Sequence, residues 1–294
     1  MRSAVIDIGS NSIKLLVADG VNATPVFETI RETRLSPNTE SARERIDDAA
    51  FSAGINAVCE LFQIAQSHAP EKIAVVGTSL FRTAENAAEF ARAVEVATGT
   101  PMQILSGEEE AALVAAGVLT DERIHAPCAI FDLGGGSLEF IARPASSDKS
   151  VFEISWKLGA VRLSRKFFPD TKAPISRERL AELQAHIREK LGDVLSQQIP
   201  SAAQIVFCGG AAGISERLLP ELSASAMKTL LHKICAGTLA ERVALGVPEK
   251  RADIFPAALA VFTEICGAGN ISRAVYTTRN LRYGLCARLN SAAG

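Results

Sequence analysis

Two stretches of the chain repeat one pattern of apolar and polar positions. Residues 5–17, VIDIGSNSIKLLV, and residues 131–140, FDLGGGSLEF, each run apolar, Asp, apolar, then small flexible residues, Ser, and alternating apolar positions again. Period-2 alternation on both sides of a tight turn predicts a β-hairpin. The first hairpin covers 3–18 with its turn at Gly9-Ser10-Asn11, and the second covers 129–142. After a variable polar stretch (31–48), Phe51, Ile55, Val58, Leu61, Phe62 and Ala65 recur at helical spacing and predict an amphipathic helix over 48–67. A buried strand over 72–79, a helix over 83–99 ending at Gly99 and a short strand over 102–107 follow. The next helix opens at SGEEEAALVAAGVL, with Ser106 as N-cap and Glu109 completing a capping box. Alternating strands and helices point to an α/β protein with a parallel layer.

The second half predicts a strand over 151–156, a basic turn at KLGAVRLSRKF (157–167) and a long charged helix over 176–197. AQIVFCGGAAGI (203–214) is an apolar strand running into glycines, and helical stretches over 223–245 and 254–266 follow. The segment SRAVYTTRNLRYGLCARL reads as strand, arginine-bearing loop and final helix. Asp132 stands 125 positions after Asp7, the spacing of a duplicated domain rather than of a solenoid repeat. Two similar halves, 1–121 and 122–294, are expected to face each other across a cleft, with the terminal helix able to pack back on the first half.

Composition narrows the class. At 294 residues and 48% hydrophobic, the chain can fill two cores. Its 31 Lys+Arg nearly balance 33 Asp+Glu, so no global field recruits nucleic acid or a membrane surface, and any anion site must be local. The six cysteines are scattered through apolar segments without a CxxC pair, which suits reduced core thiols in a cytoplasm. The four histidines (68, 125, 186, 232) lie near neither one another nor a cysteine, so zinc has no visible ligand set. No signal h-region and no apolar run of membrane-spanning length is present, and the expected location is cytoplasmic.

Glycine-rich turns let backbone N–H groups approach an anion and form a phosphate nest; a hairpin that merely needs φ > 0 is the simpler alternative. The repetition of the loop, with a third glycine run at 209–213, favours phosphate. Asp7 and Asp132 at the strand ends would be repelled by that anion unless Mg²⁺ lies between them. Glu108 and Glu109 suit the positive end of a helix dipole. Glu110 differs, because steps of three, four, seven and eight from it reach Leu113, Val114, Gly117 and Val118, placing its carboxylate on the inward stripe. Partial desolvation there would raise its pKa toward that of a general base for water. Arg82, just past a strand, is either a phosphate fork or solvated surface. Lys157, Arg162, Arg165 and Lys166 form a local positive patch or a solvated face, which Arg279 and Arg282 would extend. Lys14 reads as an outward strand residue.

Together, DIGSNSIKLLV, VVGTSLFRTAENAAEF, ILSGEEEAALVAAGV, FDLGGGSLEF, KLGAVRLSRKF and LRYGL resemble, in order and spacing, the exopolyphosphatase/guanosine pentaphosphate phosphatase (Ppx/GppA) family of the actin/Hsp70/sugar-kinase superfamily. The resemblance implies two ribonuclease-H-like (actin-like ATPase) domains with an interdomain cleft. It also implies Mg²⁺-dependent (alternatively Mn²⁺-dependent) removal of terminal phosphates from polyphosphate or pppGpp, within the stringent response, by a cytoplasmic homodimer. Carried over position by position, Glu110 would be the base for water and Arg82 the phosphoryl-binding arginine. Ser10, Asn11, Ser12, Thr78, Gly134, Gly135, Gly136, Ser137, Gly210, Arg162 and Arg282 would bind phosphate, and Asp7, Asp132 and Glu139 the metal.

The chain departs from the family pattern at Leu138, where Thr is usual, at Ala211-Ala212-Gly213-Ile214, which lacks a hydroxyl, and at Arg279 and Tyr283, where Gly and Glu are usual. RLSPNTESARERI also lacks the glycines usual after Arg-Leu, and no helical C-terminal extension for long polymers follows, which favours a short-chain or nucleotide substrate. These departures motivate a rival expectation, a non-catalytic or weakly active sensor that binds (p)ppGpp or polyphosphate. An ATP-using phosphotransferase is disfavoured by the hydrolase-type Glu110.

Overall fold

The computed structural model describes residues 1–35, 45–145 and 152–291. In chain order the elements begin β1 (Arg2–Ile8), β2 (Ser12–Asp19), β3 (Thr24–Glu32), α1 (Asp48–Ser67), β4 (Lys72–Gly77), a 3-10 turn (Ser79–Arg82), α2 (Ala87–Thr98), β5 (Met102–Ile104) and α3 (Gly107–Val118). They continue with β6 (Cys128–Leu133), β7 (Leu138–Arg143), β8 (Phe152–Trp156), α4 (Ala160–Phe167), α5 (Arg177–Leu191), α6 (Val194–Gln198), β9 (Gln204–Cys208) and α7 (Gly210–Leu218). The last are β10 (Leu222–Ser223), α8 (Ala224–Ala236), α9 (Leu239–Ala244), a 3-10 turn (Glu249–Arg251), α10 (Phe255–Ala268), β11 (Arg273–Tyr276) and α11 (Leu281–Ser291). Two compact units result, Met1–Glu122 with Arg279–Gly294, and Arg123–Thr278.

In the first unit the sheet runs β3-β2-β1-β4-β5 among the described residues, antiparallel through β1 and parallel from β1 to β5. Its apolar face, from Ala4, Ile6, Ile8, Ile13, Leu15 and Val17, is covered by Val58, Leu61 and Ala65 of α1 and by Phe90 and Val94 of α2. The stripe read from the sequence is therefore the buried one. Asp47 caps α1 by accepting from the Ala50 N–H, and α2 stops at Gly99, whose φ of +69° suits glycine. Two expectations need correction. The helix expected from 83 starts at Ala87, because 79–82 already form a 3-10 turn. Strand β3 was not anticipated; it is a half-exposed edge strand whose alternation is masked by Pro25 and by charges, and Phe27 stacks on His68 at 4.7 Å. Of the polar stretch 31–48, residues 36–44 lie outside the described residues, as do most of the glycine-poor positions after Leu35.

On the other side of this unit, α3 crosses α11 at backbone contact. A Cβ on Gly117 would lie 1.9 Å from the Asn280 carbonyl oxygen, and one on Gly284 would lie 2.0 Å from that of Leu113. The two glycines seat α3, which carries Glu110 in its first turn. The predicted capping box is present, with the Ser106 hydroxyl accepting from Glu109 N–H and the Glu109 carboxylate accepting from Ser106 N–H.

The second unit repeats the strand plan. Its sheet runs β10-β11-β9-β6-β7-β8 among the described residues, and β8-β7-β6-β9-β11 matches β3-β2-β1-β4-β5 in order and direction. Phe131, Phe140 and Phe207 pack in its core, with Phe262 of α10 stacked on Phe207 at 4.6 Å. Residues 157–167, expected as a basic turn, fold instead as helix α4 from Ala160 to Phe167, because Ala160, Val161, Leu163 and Ser164 form a buried stripe. The helix expected over 176–197 breaks at Gly192 (φ +50°) into α5 and α6, and the one over 223–245 divides at Gly237 into α8 and α9. Residue 151, where β8 was expected to begin, lies outside the described residues. Among the described residues no helix is long and apolar enough to cross a membrane.

Two outcomes are expected. Gly117→Ala forces backbone overlap at the α3–α11 crossing and should cost about 3 kcal/mol, read as a lower urea midpoint. Burial pushes the Cys235 and Cys266 thiols up to about 12, and Cys128, Cys208 and Cys286 are also buried, while Cys59 is half-buried. A disulfide reagent at mildly alkaline pH should label only Cys59 quickly in the native protein, and the remaining cysteines only on unfolding.

Candidate functional site

Parallel strands β1, β4 and β5 end at one edge of the first sheet, where ligand sites of α/β folds form. Asp7 is the penultimate residue of β1, beside Val76 on β4 and opposite Lys14 on β2. The β1–β2 turn is closed by Gly9 N–H donating to the Ser12 carbonyl at 3.1 Å. Thr78 N–H donates to the Ile8 carbonyl at 3.3 Å, which sets the 3-10 turn beside this loop and brings Thr78 next to it. Asp7, Ser10 and Thr78 are all buried, and their side chains have no hydrogen-bond or ion-pair partner among the described residues. Their residues are buried but their polar atoms keep contact with solvent, so the cluster is a set of uncommitted polar groups open to a ligand. Asn11 is differently committed, its Nδ2 donating to Glu32 at 2.9 Å, and Ser12 is buried at the start of β2.

Arg82 closes the 3-10 turn, and its Nη1 donates to the Glu110 carboxylate at 2.6 Å and to the Leu105 carbonyl at 3.1 Å. The two residues assigned to catalysis thus form an ion pair, with side chains 24% and 11% exposed. Lys14, read from the sequence only as an outward residue, shares the sheet face of Asp7 as its direct cross-strand neighbour and has no hydrogen bond or ion pair among the described residues. Its register was the signal: seven positions after Asp7 across a tight hairpin returns to the same row.

In the second unit the loop after β6 is shaped by α4. Gly134 N–H donates to the Ser137 carbonyl at 3.0 Å. The Gly134 carbonyl accepts from Ala160 N–H at 3.0 Å, the Gly135 carbonyl from Val161 N–H at 2.9 Å and Arg162 N–H at 3.2 Å, and the Gly136 carbonyl from Arg162 Nε at 3.2 Å. In a trans peptide the C=O and the following N–H point in opposite directions. The N–H groups of Gly135, Gly136 and Ser137 therefore turn away from α4, and none has a backbone acceptor among the described residues. Three successive N–H groups thus face away from α4 without backbone acceptors among the described residues, donors of the kind an anion site uses. Ser137, a buried residue, adds a hydroxyl that keeps solvent contact and has no partner among the described residues.

Asp132 and Glu139 are direct neighbours across β6 and β7, both buried, and Glu139 accepts from Ser155 Oγ at 2.9 Å. Cys208, beside Asp132 on β9, has its thiol pushed well above the ordinary range by burial and then by these two carboxylates. It is a neutral core group rather than a nucleophile. Among the described residues no three or more His, Cys, Asp or Glu form a metal-holding group. Mg²⁺ needs only one or two carboxylates when phosphate and water complete its shell, so adjacent Asp132 and Glu139 fit such an ion, and buried Asp7 is chemically suited as a separate ligand. Gly209, with φ +91°, turns β9 into α7; a Cβ there would lie 2.5 Å from the Leu133 carbonyl oxygen and 2.9 Å from Asp132 Oδ1. Gly210 opens α7 beside the guanidinium of Arg251, a residue the sequence reading did not single out.

The arginines expected to extend a positive patch are otherwise engaged. Arg282 Nη1 donates to the Leu15 carbonyl at 3.3 Å and to Glu28 at 3.2 Å, and the Tyr283 hydroxyl also donates to Glu28. Arg279 Nη1 donates to the Thr120 carbonyl at 2.6 Å, to its hydroxyl at 2.9 Å and to the Asn22 carbonyl at 3.0 Å, and its guanidinium lies 5.3 Å from the Tyr283 ring centre. The two departures at 279 and 283 thus brace each other around α11. Leu138 is fully buried in the second unit's core and Ile214 nearly so.

Two repeated sheets, each with a β-hairpin loop after its first strand and an Asp at that strand's end, define an actin-like two-domain α/β fold. An exopolyphosphatase from Cytophaga hutchinsonii is similar at 21% identity and TM-score 0.88, covering 99% of this chain and 98% of its own. The PPX-GPPA enzyme of Aquifex aeolicus is similar at 23% identity and TM-score 0.79, covering 98% and 99%. At these identities the likeness is one of fold. Residues 16–291 match the Ppx/GppA phosphatase family, and the chain belongs to that family. Membership supports phosphoanhydride hydrolysis as the general reaction class.

If Asp7 is kept for a ligand, Asp7→Asn should leave the unliganded protein as stable as the wild type or stabilise it by about 1 kcal/mol. Urea unfolding checks this; a loss of stability would show that the carboxylate is structural.

Proposed function

We propose that the protein cleaves the terminal phosphoanhydride bond of inorganic polyphosphate or of pppGpp, releasing orthophosphate. The observation that supports this most is the contact between Arg82 and Glu110, a phosphate-matching guanidinium and a carboxylate brought to 2.6 Å from positions 28 apart in sequence. In the first unit, the Ser10 and Thr78 hydroxyls bind phosphate oxygens, and Arg82 offers its fork to the charge that develops on the transferred group. Glu110 accepts the proton of the attacking water as its oxygen bonds to phosphorus and the bridging P–O bond breaks toward the remaining chain. In the second unit, the Gly135, Gly136 and Ser137 N–H groups hold phosphate oxygens. Mg²⁺, with Mn²⁺ as substitute, would be held by Asp132 and Glu139, with Asp7 a further ligand, and would neutralise phosphate charge when bound.

The departures that motivated a sensor are accounted for within each unit: Leu138 and Ile214 pack in a core, and Arg279 with Tyr283 braces α11. The hydrolase reading is therefore the one carried forward.

Phosphate release from polyphosphate and pppGpp, measured in parallel with Mg²⁺, is expected to fall by about a thousandfold in Glu110→Gln while the fold is retained. Wild-type protein that releases no more than this variant on either substrate sinks the reading.

A further inference from the structure

The basic segment at 157–167 was read from the sequence as a substrate-binding patch or a solvated face; Lys157 and Lys166 are exposed, while Arg162 reaches back to the loop at 134–137. Through Ala160, Val161 and Arg162 it gives hydrogen bonds to carbonyl oxygens of the loop at 134–137. Ala160, Val161 and Arg162 give their backbone N–H groups to Gly134 and Gly135, and Arg162 Nε goes to Gly136. Those N–H groups are the unpaired donors at the start of α4, so the helix terminus is satisfied by the loop and is not itself a ligand site. Gly159 permits the approach: a Cβ there would lie 2.2 Å from Gly136 C and 2.3 Å from the Gly135 oxygen. Immediately upstream, Ser155 Oγ donates to Glu139 at 2.9 Å from the neighbouring strand.

A glycine run has no side chains to fix its peptide planes, and each plane can turn with little steric cost. Something else must decide that three N–H groups face outward rather than three carbonyls, which would repel phosphate. The N–H donors at the start of α4 and Arg162 Nε, each holding a loop carbonyl, make that choice plane by plane. We propose that residues 155–162 form a positioning device for the phosphate loop. Arg162 is a positioning residue that acts through the Gly136 carbonyl, and Ser155 is one that acts through Glu139. The functional consequence rests on the hydrolase reading above; the structural one does not.

Two measurements separate them. Hydrogen exchange of the unliganded protein reads the grip itself: the Ala160, Val161 and Arg162 amides should lose about tenfold or more protection in both Arg162→Met and Arg162→Lys. Kinetics reads its use. Arg162→Lys keeps the charge but loses the planar Nε donor, so it should lower kcat/KM about as much as Arg162→Met, by about ten- to a hundredfold. Ser155→Ala should lower kcat several-fold with KM little changed, and Ser155→Thr should restore it. Thermal melts of each variant identify any that is globally unfolded, and the lysine and threonine variants are mild enough to keep the test available. Near-wild-type kinetics in Arg162→Lys beside an impaired Arg162→Met would make Arg162 a charge that contacts substrate, overturning the proposal. So would unchanged amide protection in both Arg162 variants. If the wild type releases no phosphate, the hydrolase reading fails while the exchange result still decides the positioning role.

Discussion

Backbone-to-backbone contact at positions that exclude a Cβ is the constraint on which the candidate residues of each unit depend. In the first unit Gly117 and Gly284 let α3 and α11 touch, and this crossing seats the helix that presents Glu110. In the second unit Gly159 lets the start of α4 touch Gly135 and Gly136, and this contact turns the loop's N–H groups outward. Placement of the chemistry thus rests on main chain, whose geometry is more rigid than that of a long side chain. The functional side chains are then few and need only short reaches.

This division explains where charge sits. The first unit carries its titratable pair, Arg82 and Glu110, at the ends of the parallel strands, with Asp7, Ser10 and Thr78 buried nearby and unbonded within the described residues. The second unit presents main-chain N–H groups at the loop after β6. Arg162 is turned to a carbonyl, and the partial positive charge of peptide N–H groups serves instead. A near-neutral chain can in this way offer an anion site without a basic surface.

Much of this was legible in the sequence because it has a short-range cause. The two hairpins, α1 and its buried stripe, the Ser106–Glu109 capping box and the inward phase of Glu110 all follow from spacing within one element. The rest depends on what lies opposite. Helix α4 looked like a turn because its N-terminal donors are satisfied by a loop more than twenty residues earlier. Edge strand β3 has only one face against the protein, so its alternation is diluted. Arg282 looked like a phosphate ligand from its motif, and only the position of Glu28 on β3 shows where its guanidinium is held. Lys14 looked idle until the β1–β2 register put it beside Asp7.

The central claim is that peptide N–H groups of the loop after β6 bind phosphate. Amide NMR of the Glu110→Gln protein titrated with inorganic tripolyphosphate tests it most directly. The account predicts saturable shifts at Gly135, Gly136 and Ser137, larger than those at the α4 amides behind them. Saturable binding that leaves these three amides unmoved would contradict it.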